Sequence, residues 1–238
     1  MKAMVLCAGF GTRLGALTQE TPKPMLPLGG RPILDYILRH LVHHGFDDIV
    51  VNLHFRPEVI RTYCGDGSRF GARITYSFEE QPLGTAGAVR KMAAHFRDGP
   101  FLVQYGDVLT AQDFHALLAV HEKHNALATV LTHQRARSNS VVVVGEDNRV
   151  ERFLERPSEE DRRGVLSDRV FSGILIGTPE LVEMIPAGRP TDLPRDVFPP
   201  AVATGRLFAC PLSGYRCAID SPERLTLAEK ALNEGLFR

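Results

Sequence analysis

The sequence contains few cysteines, and none is placed for a metal or disulfide framework. The chain of 238 residues has four cysteines, none of which belongs to a CxxC pair. They are scattered along the chain at Cys7, Cys64, Cys210 and Cys217. This spacing argues against a disulfide scaffold and against a zinc cluster.

The chain also lacks a net charge and a long apolar run. Lys plus Arg and Asp plus Glu both number 28, so the charge balance does not indicate a nucleic-acid or membrane partner. No run of about 18 apolar residues is present, and the N-terminal apolar stretch is too short for a secretory signal. We therefore expect a soluble, cytoplasmic protein without a membrane span.

The composition is ordinary for a globular protein, with 44% hydrophobic and 24% charged residues. A chain of this length is somewhat longer than a typical domain and short for two. We therefore expect one domain over residues 1–238.

Apolar runs that predict buried strands alternate with helical patterns in the first half of the chain. The predicted strands are Met4–Cys7, Ile49–Leu53, Ala72–Phe78, Phe101–Tyr105 and Leu127–Thr132. The predicted helices are Pro32–His44, Pro57–Tyr63, Thr85–His95 and Ala111–Asn125. This βαβαβ order predicts an α/β fold with a mostly parallel sheet and helices on both faces.

The second half of the chain is less regular. The pattern predicts a hairpin, three further strands and a final helix. These elements are Val141–Val144 with Val150–Leu154, then Val170–Ile176, Leu207–Pro211, Tyr215–Ile219 and Pro222–Glu234. In open α/β sheets, ligands bind beyond the carboxyl ends of the strands. We therefore expect the loops after Cys7, Phe78, Tyr105 and Leu154 to meet around one crevice.

A glycine-rich loop directly follows the first predicted strand. Its Gly9 and Gly11 let backbone N–H groups approach phosphate oxygens, and Arg13 can bind the same charge. Lys23 follows between Pro22 and Pro24, which hold it in an extended segment. Each feature also occurs in ordinary loops, so neither decides the function alone.

Together these two segments are far more specific. They read AGFGTRL and TPKPMLPLGGRPIL, and the sequence resembles the sugar-1-phosphate nucleotidylyltransferases there. The resemblance continues in GDGSRFG (65–71), EEQPLGTAG (79–87), YGDV (105–108), FLERP (153–157), FSG (171–173) and DSPERL (220–225). Within the family, the segments EEQPLGTAG, YGDVLTAQDF and RDVFP resemble mannose- and D-glycero-D-manno-heptose-1-phosphate guanylyltransferases.

The resemblance implies a Rossmann-like nucleotidyltransferase fold with a mixed, mostly parallel sheet. It also implies an enzyme of the nucleotidyltransferase class that acts on a nucleoside triphosphate and a sugar 1-phosphate. The sugar phosphate oxygen attacks the α-phosphorus and pyrophosphate leaves. Because no covalent enzyme intermediate is needed, catalysis consists of positioning and charge neutralisation. Mg²⁺ held through carboxylates is the implied cofactor.

The resemblance assigns roles by matched position. The implied catalytic residues are Arg13, Lys23 and Asp107. The implied nucleotide-binding residues are Ala8, Gly9, Gly11, Thr12, Glu79, Pro82, Gly84 and Thr85. The implied sugar-phosphate-binding residues are Glu155, Arg156, Ser172 and Gly173, and the implied metal ligands are Asp107 and Asp220. For Asp107, the alternative is a turn-forming Gly-Asp after a strand.

This sequence departs from the family pattern at three places. The family's second metal-binding Asp aligns with Ala218, so we expect Asp220 to replace it. Alternatively, Asp220 caps the final helix, a role that Asp and Ser both suit. Arg156 stands where the family has Lys, and Ser172 where it usually has Asn.

The base and the sugar are less constrained than the reaction. Glu79 suits guanine N1–H and N2–H₂, and it also suits the N3–H of uracil or thymine. We expect GTP with a mannose- or heptose-type sugar, with UTP, dTTP and CTP as alternatives. The alternative from another class is a non-catalytic regulatory subunit with the same fold.

The last predicted helix lies close to residue 238, so we expect no C-terminal β-helix domain. A homodimer is plausible, although no motif supports it.

Overall fold

The fold is described from a computed structural model, which covers residues 1–136 and 138–237. The strands are β1 (Lys2–Leu6), β2 (Pro27–Leu28), β3 (Arg31–Pro32), β4 (Asp48–Leu53), β5 (Arg73–Phe78), β6 (Phe101–Tyr105), β7 (Val108–Thr110), β8 (Ala128–Gln134), β9 (Ser140–Val144), β10 (Val150–Glu155), β11 (Arg169–Gly177), β12 (Leu207–Pro211) and β13 (Arg216–Ala218).

The α-helices are α1 (Ile33–His43), α2 (Pro57–Cys64), α3 (Gly84–Lys91), α4 (Phe114–Lys123), α5 (Glu159–Arg162), α6 (Pro179–Glu183), α7 (Phe198–Ala203) and α8 (Pro222–Asn233). Short 3₁₀ helices cover Thr12–Thr18, Lys23–Met25, Ser68–Phe70 and Ala93–His95, and a π-helical turn covers Leu193–Val197. In the part of the chain that the structure describes, no helix combines the length and the apolar character needed to cross a bilayer.

The central sheet has seven strands in the order β12-β8-β11-β6-β1-β4-β5. The pairs β1–β4, β4–β5 and β12–β8 are parallel, and β11 runs antiparallel to β8. The predicted α/β fold with a mixed, mostly parallel sheet is therefore confirmed.

The chain divides into two compact units, each built from separate segments. The first unit comprises Met1–Pro82, Val103–Asp113 and Ser213–Arg238, of which the structure describes the residues up to 237. The second unit comprises Leu83–Leu102 and Phe114–Leu212, apart from residue 137. That residues 1–238 form one domain stays a prediction.

The core of the first unit forms around β4, which lies between β1 and β5. In register, Val51 pairs with Val5 on one side and with Tyr76 on the other. Because β4 is central, its apolar residues are buried on both faces, as the continuous apolar run predicts. Helix α1 buries Ile37 and the other apolar residues of one face, as its sequence period predicts.

The core of the second unit forms around β8, which pairs with β11 and β12. Val130 lies opposite Leu175 of β11 and Ala209 of β12, and all three are fully buried. The rings of Phe96 and Phe101 stack at 4.2 Å in the same unit. Burial of these apolar side chains is the main stabilising contribution here.

The elements agree with the predicted ones to within a few residues, with one informative difference. The predicted helix Ala111–Asn125 begins only at Phe114. The Ala111 N–H donates to the Tyr215 carbonyl, and the Gln112 N–H donates to Thr110 Oγ1. These bonds hold 111 and 112 outside the helix, next to the unpredicted strand β7.

Two buried histidines make stability depend on pH, because burial lowers the pKa of His40 as well as that of His121 to about 4. Burial lowers the pKa of His121 from 6.5 to about 4, and the charge of Arg206 adds to this effect. Below about pH 6.5 the unfolded chain binds a proton that the folded chain refuses until about pH 4. The native state therefore loses on the order of 3 kcal/mol as pH falls through this window.

We expect His121→Gln to remove the share of this loss that His121 contributes and to leave the share of His40. Urea unfolding between pH 4.5 and 7.5 measures the slope of the unfolding free energy. The control is His115→Gln, which makes the same substitution at an exposed histidine of the same helix. An unaltered slope in His121→Gln would contradict this assignment.

Candidate functional site

The loops that follow β1, β5 and β6 meet at one edge of the sheet within the first unit. The Gly106 N–H, after β6, donates to the Leu6 carbonyl at 2.9 Å. The Cys7 N–H donates to Asn52 Oδ1 at 2.6 Å, and Asn52 Nδ2 donates to Glu79 Oε1 at 2.8 Å. These bonds bring together three of the four loops expected at the crevice. The fourth, after Leu154, belongs to the second unit.

The glycine-rich loop is folded back onto the lysine segment. Gly11 has a φ of 66°, in the left-handed region that favours glycine. A Cβ at Gly11 would lie 3.1 Å from both Lys23 Cβ and Thr18 Cγ2. Thr18 Oγ1 donates to the Gly11 carbonyl at 2.9 Å. The loop therefore needs glycine here both for its turn and for its close packing.

The other residues of this loop differ in exposure. Ala8 is buried at the end of the first strand, whereas Gly9, Thr12 and Arg13 are exposed. The exposed part can therefore be reached by a phosphate-bearing ligand.

Lys23 and Asp107 form an ion pair beside this loop. The Lys23 ammonium donates to Asp107 Oδ2, although the two residues are 84 positions apart. Their side chains are only 12% and 22% exposed, so each charge depends on the other for compensation. Pro22 and Pro24 flank Lys23 at the start of a 3₁₀ turn, and Asp107 occupies the turn between β6 and β7.

Asp220 lies at the same end of the β7–β13 pair. The Ile219 N–H donates to the Asp107 carbonyl at 2.8 Å, which joins the two segments. Asp220 Oδ2 lies 3.4 Å from Arg13 Nη1, and Asp220 Oδ1 lies 3.2 Å from Arg224 Nε. The carboxylate therefore bridges the glycine-rich loop and helix α8.

Capping of α8 falls to Ser221 rather than to Asp220. Ser221 is the N-cap residue, and its side chain accepts from the Arg224 N–H. The Asp220 carboxylate contacts Arg13 and Arg224 instead, and its role as a metal ligand stays a prediction.

Asp107 and Asp220 are the carboxylates at this edge whose chemistry suits a divalent cation. Both are partly accessible, and both are held by cationic side chains. Carboxylate oxygens are the ligands that Mg²⁺ prefers. Ala218, two residues before Asp220, supplies no donor side chain.

Glu79 follows β5 and is almost completely buried. Asn52 holds one of its oxygens, and His54 Nδ1 lies 2.8 Å from its carbonyl oxygen. Asn52 was not among the predicted site residues. The available signal was one amide side chain within the otherwise apolar strand IVVNL. Pro82, by contrast, is exposed at the end of this segment.

Gly84 and Thr85 begin α3 in the second unit. Thr85 donates through its N–H and Oγ1 to Asp192 Oδ1 at 3.2 and 3.4 Å. The Leu193 N–H in turn donates to Thr85 Oγ1 at 2.8 Å. Asp192 is therefore a further polar residue at this position that the sequence pattern did not reveal.

Glu155 and Arg156 lie at the end of β10. Burial raises the pKa of Glu155; the Arg156 charge opposes this shift and the Asp192 charge adds to it. The Arg156 backbone has a φ of 50°, which is uncommon for a residue with a Cβ, and its N–H donates to the Asn139 carbonyl. Its side chain is exposed, so the backbone is fixed while the guanidinium is accessible.

Ser172 and Gly173 lie in an irregular part of β11. The register to β8 shifts between Phe171 and Leu175, as in a β-bulge. Ser172 is fully buried, and its Oγ lies 2.9 Å from His133 Nδ1. The Ser172 hydroxyl therefore forms a hydrogen bond inside the second unit.

The chain is similar in sequence to known proteins of one family. The sequence model of the family described as nucleotidyl transferase matches residues 2–215. A UTP–glucose-1-phosphate uridylyltransferase of Synechocystis is 37% identical over 223 residues, which are 87% of this chain and 57% of the relative. A mannose-1-phosphate guanylyltransferase of Mycobacterium tuberculosis is 34% identical over 215 residues, 90% of this chain and 58% of the relative. The chain thus spans under two thirds of the length of these curated relatives.

A solved structure supports the same fold. HddC from Yersinia pseudotuberculosis, complexed with GMP-PN, superposes with a TM-score of 0.81 at 21% identity. The match covers 97% of this chain and 99% of that one. At this identity the likeness concerns the fold alone, and it confirms the predicted Rossmann-like nucleotidyltransferase architecture.

We expect Gly84→Ala to destabilise the protein strongly. Gly84 has a φ of 75°, and a Cβ there would overlap the Thr191 carbonyl oxygen. The backbone strain and the overlap together should cost at least about 2 kcal/mol, read from urea unfolding.

The matched control is Gly164→Ala. Gly164 has a φ of 73°, and among the described residues, its chain neighbours apart, no atom lies within 4 Å of a Cβ added there. Only the backbone cost of about 1 kcal/mol should therefore appear. Equal losses in the two variants would show that Thr191 does not restrict position 84.

Proposed function

The chain belongs to the nucleotidyl transferase family, and we propose that it joins a nucleoside triphosphate to a sugar 1-phosphate, releasing pyrophosphate. The supporting observation is the cluster of Arg13, Lys23, Asp107 and Asp220 at one edge of the first unit. Two cationic side chains and two carboxylates beside a glycine-rich loop suit a reaction between phosphorylated substrates.

The reaction forms one bond to the α-phosphorus and breaks another. An oxygen of the sugar phosphate attacks, and the bond to the β-phosphate oxygen breaks as pyrophosphate leaves. The exposed loop at Gly9–Arg13 would bind the triphosphate through backbone N–H groups and the Arg13 guanidinium. Lys23 would neutralise charge on the reacting phosphates.

The cations of the site are already paired with its carboxylates. Lys23 has three N–H donors and Arg13 has five, so each can bind a phosphate oxygen while it keeps its contact with Asp107 or Asp220. Mg²⁺ held by Asp107 and Asp220 would add positive charge and stabilise the phosphates. The two carboxylates would thus hold both the cationic side chains and the metal ion.

On the second unit, we assign the sugar phosphate to Glu155, Arg156, Ser172 and Gly173. The exposed Arg156 guanidinium offers paired donors for a phosphate, and Glu155 offers an acceptor for sugar hydroxyls. Because Ser172 is buried, its contribution would be to hold the irregular strand in place beside Gly173.

For the base we propose guanine. Glu79 supplies a fixed acceptor, and several curated relatives are mannose-1-phosphate guanylyltransferases. The Synechocystis relative is a uridylyltransferase, so UTP is the second candidate, ahead of dTTP and CTP. The remaining proposed base contacts are Pro82, Gly84 and Thr85.

Cytoplasmic location and a homodimer also stay proposals.

The experiment is pyrophosphate release by the purified chain with Mg²⁺. Each of the four triphosphates is paired with a panel of sugar 1-phosphates that includes mannose, glucose and heptose forms. We expect the highest kcat/KM with GTP. A strong preference for a pyrimidine triphosphate would overturn the guanine assignment. No turnover with any pair would favour the regulatory-subunit alternative.

We expect Asp107→Asn to lower kcat by at least about 100-fold, because it removes a carboxylate from both Lys23 and the metal. Pyrophosphate release and the thermal unfolding midpoint are measured together. The control is Asp98→Asn, an exposed carboxylate of the second unit. Activity near the control's value would contradict the role of Asp107.

A further inference from the structure

A buried chain of hydrogen bonds connects the start of the glycine-rich loop to Glu79. The Cys7 N–H donates to Asn52 Oδ1 at 2.6 Å, and Asn52 Nδ2 donates to Glu79 Oε1 at 2.8 Å. Asn52 and Glu79 are only 3% and 1% exposed. Asn52 belongs to β4, which lies between β1 and β5; Cys7 follows β1 and Glu79 follows β5. The amide thus spans the distance from β1 to β5.

The chemistry of the chain fixes the orientation of the amide. A backbone N–H can only donate, so the side of Asn52 that faces Cys7 must be its oxygen. The NH₂ group must then face Glu79, whose Oε1 must accept. The Asn52 amide cannot flip without losing both hydrogen bonds. It therefore restrains the position of one oxygen of the Glu79 carboxylate.

We propose that Asn52 is a positioning residue that sets base selectivity by holding the Glu79 carboxylate in one orientation. This inference rests on the proposed function and extends it. Guanine presents N1–H and N2–H₂ side by side, and a carboxylate matches both donors only at a fixed rotation. A carboxylate free to rotate would bind a base with one of these donors almost as well.

An asparagine here also satisfies the Cys7 N–H, which would be a purely structural role. The two roles predict different results. Loss of the structural bond lowers stability and affects all nucleotides alike. Loss of the bond to Glu79 changes the ratio of kcat/KM between two nucleotides whose bases differ only in the donors that Glu79 would contact.

The test compares GTP with ITP, which lacks only the 2-amino group, at a fixed sugar 1-phosphate. We expect the wild-type protein to prefer GTP, and Asn52→Ala to lower the GTP/ITP ratio of kcat/KM by about tenfold. Glu79→Gln should lower the ratio similarly. In the double variant the two effects should not multiply, because Asn52 acts through Glu79.

The matched control is Ser77→Ala. Ser77 pairs in register with Asn52 on β5 and is buried, and its Oγ makes no hydrogen bond to any residue in 1–136 or 138–237. This variant should keep the wild-type GTP/ITP ratio. If Asn52→Ala does not fold, Asn52→Ser is measured instead, and the same drop is expected.

Three results would overturn the inference: an unchanged ratio in Asn52→Ala, multiplied effects in the double variant, or a wild-type protein that does not distinguish GTP from ITP. Absence of all turnover would instead contradict the proposed function. In that case the dissociation constants of GMP and IMP, compared between the wild type and Asn52→Ala, give the same ratio test without catalysis.

Discussion

The contact between the Lys23 ammonium and the Asp107 carboxylate determines how the site can work. Both side chains are mostly buried, and a buried charge without a partner is costly. The turn between β6 and β7 and the proline-flanked lysine segment therefore stabilise each other. A second carboxylate is also paired with cationic side chains, since Asp220 contacts both Arg13 and Arg224. The charges are compensated before any substrate binds, and the remaining N–H donors of Lys23 and Arg13 stay directed by these carboxylate contacts.

The sheet makes this arrangement possible because several loops begin at one edge. The loops that follow the parallel strands lie at the same edge of the sheet. The Asn52 side chain connects two of these loops, because it accepts from the Cys7 N–H and donates to Glu79 Oε1. Glu79, which contacts the base in our proposal, is thus held by Asn52, a buried polar residue of the sheet. In the second unit, Asp192 supports Thr85 in a comparable way.

The sequence is most informative where a local pattern determines the structure. Apolar runs and helical periods located the main strands and helices, and the short motifs indicated the family. Contacts between residues distant in sequence could not be predicted from local patterns. The strand β7 is defined by its pairing with β13, and Lys23 contacts Asp107 across 84 positions of sequence. Asn52 resembled an ordinary strand residue. The sequence did not predict the π-helical turn at Leu193–Val197 or helix α7, because both segments contain prolines. In each, however, proline stands in the first turn, a position that it suits.

The interleaving of the two units also affects how the protein emerges during synthesis. The first unit is interrupted twice by segments of the second, and its final portion begins only at Ser213. The carboxylate of Asp220 and the strand that pairs with β7 lie in that portion. On the ribosome, Lys23 and Asp107 can therefore meet well before Asp220 is translated.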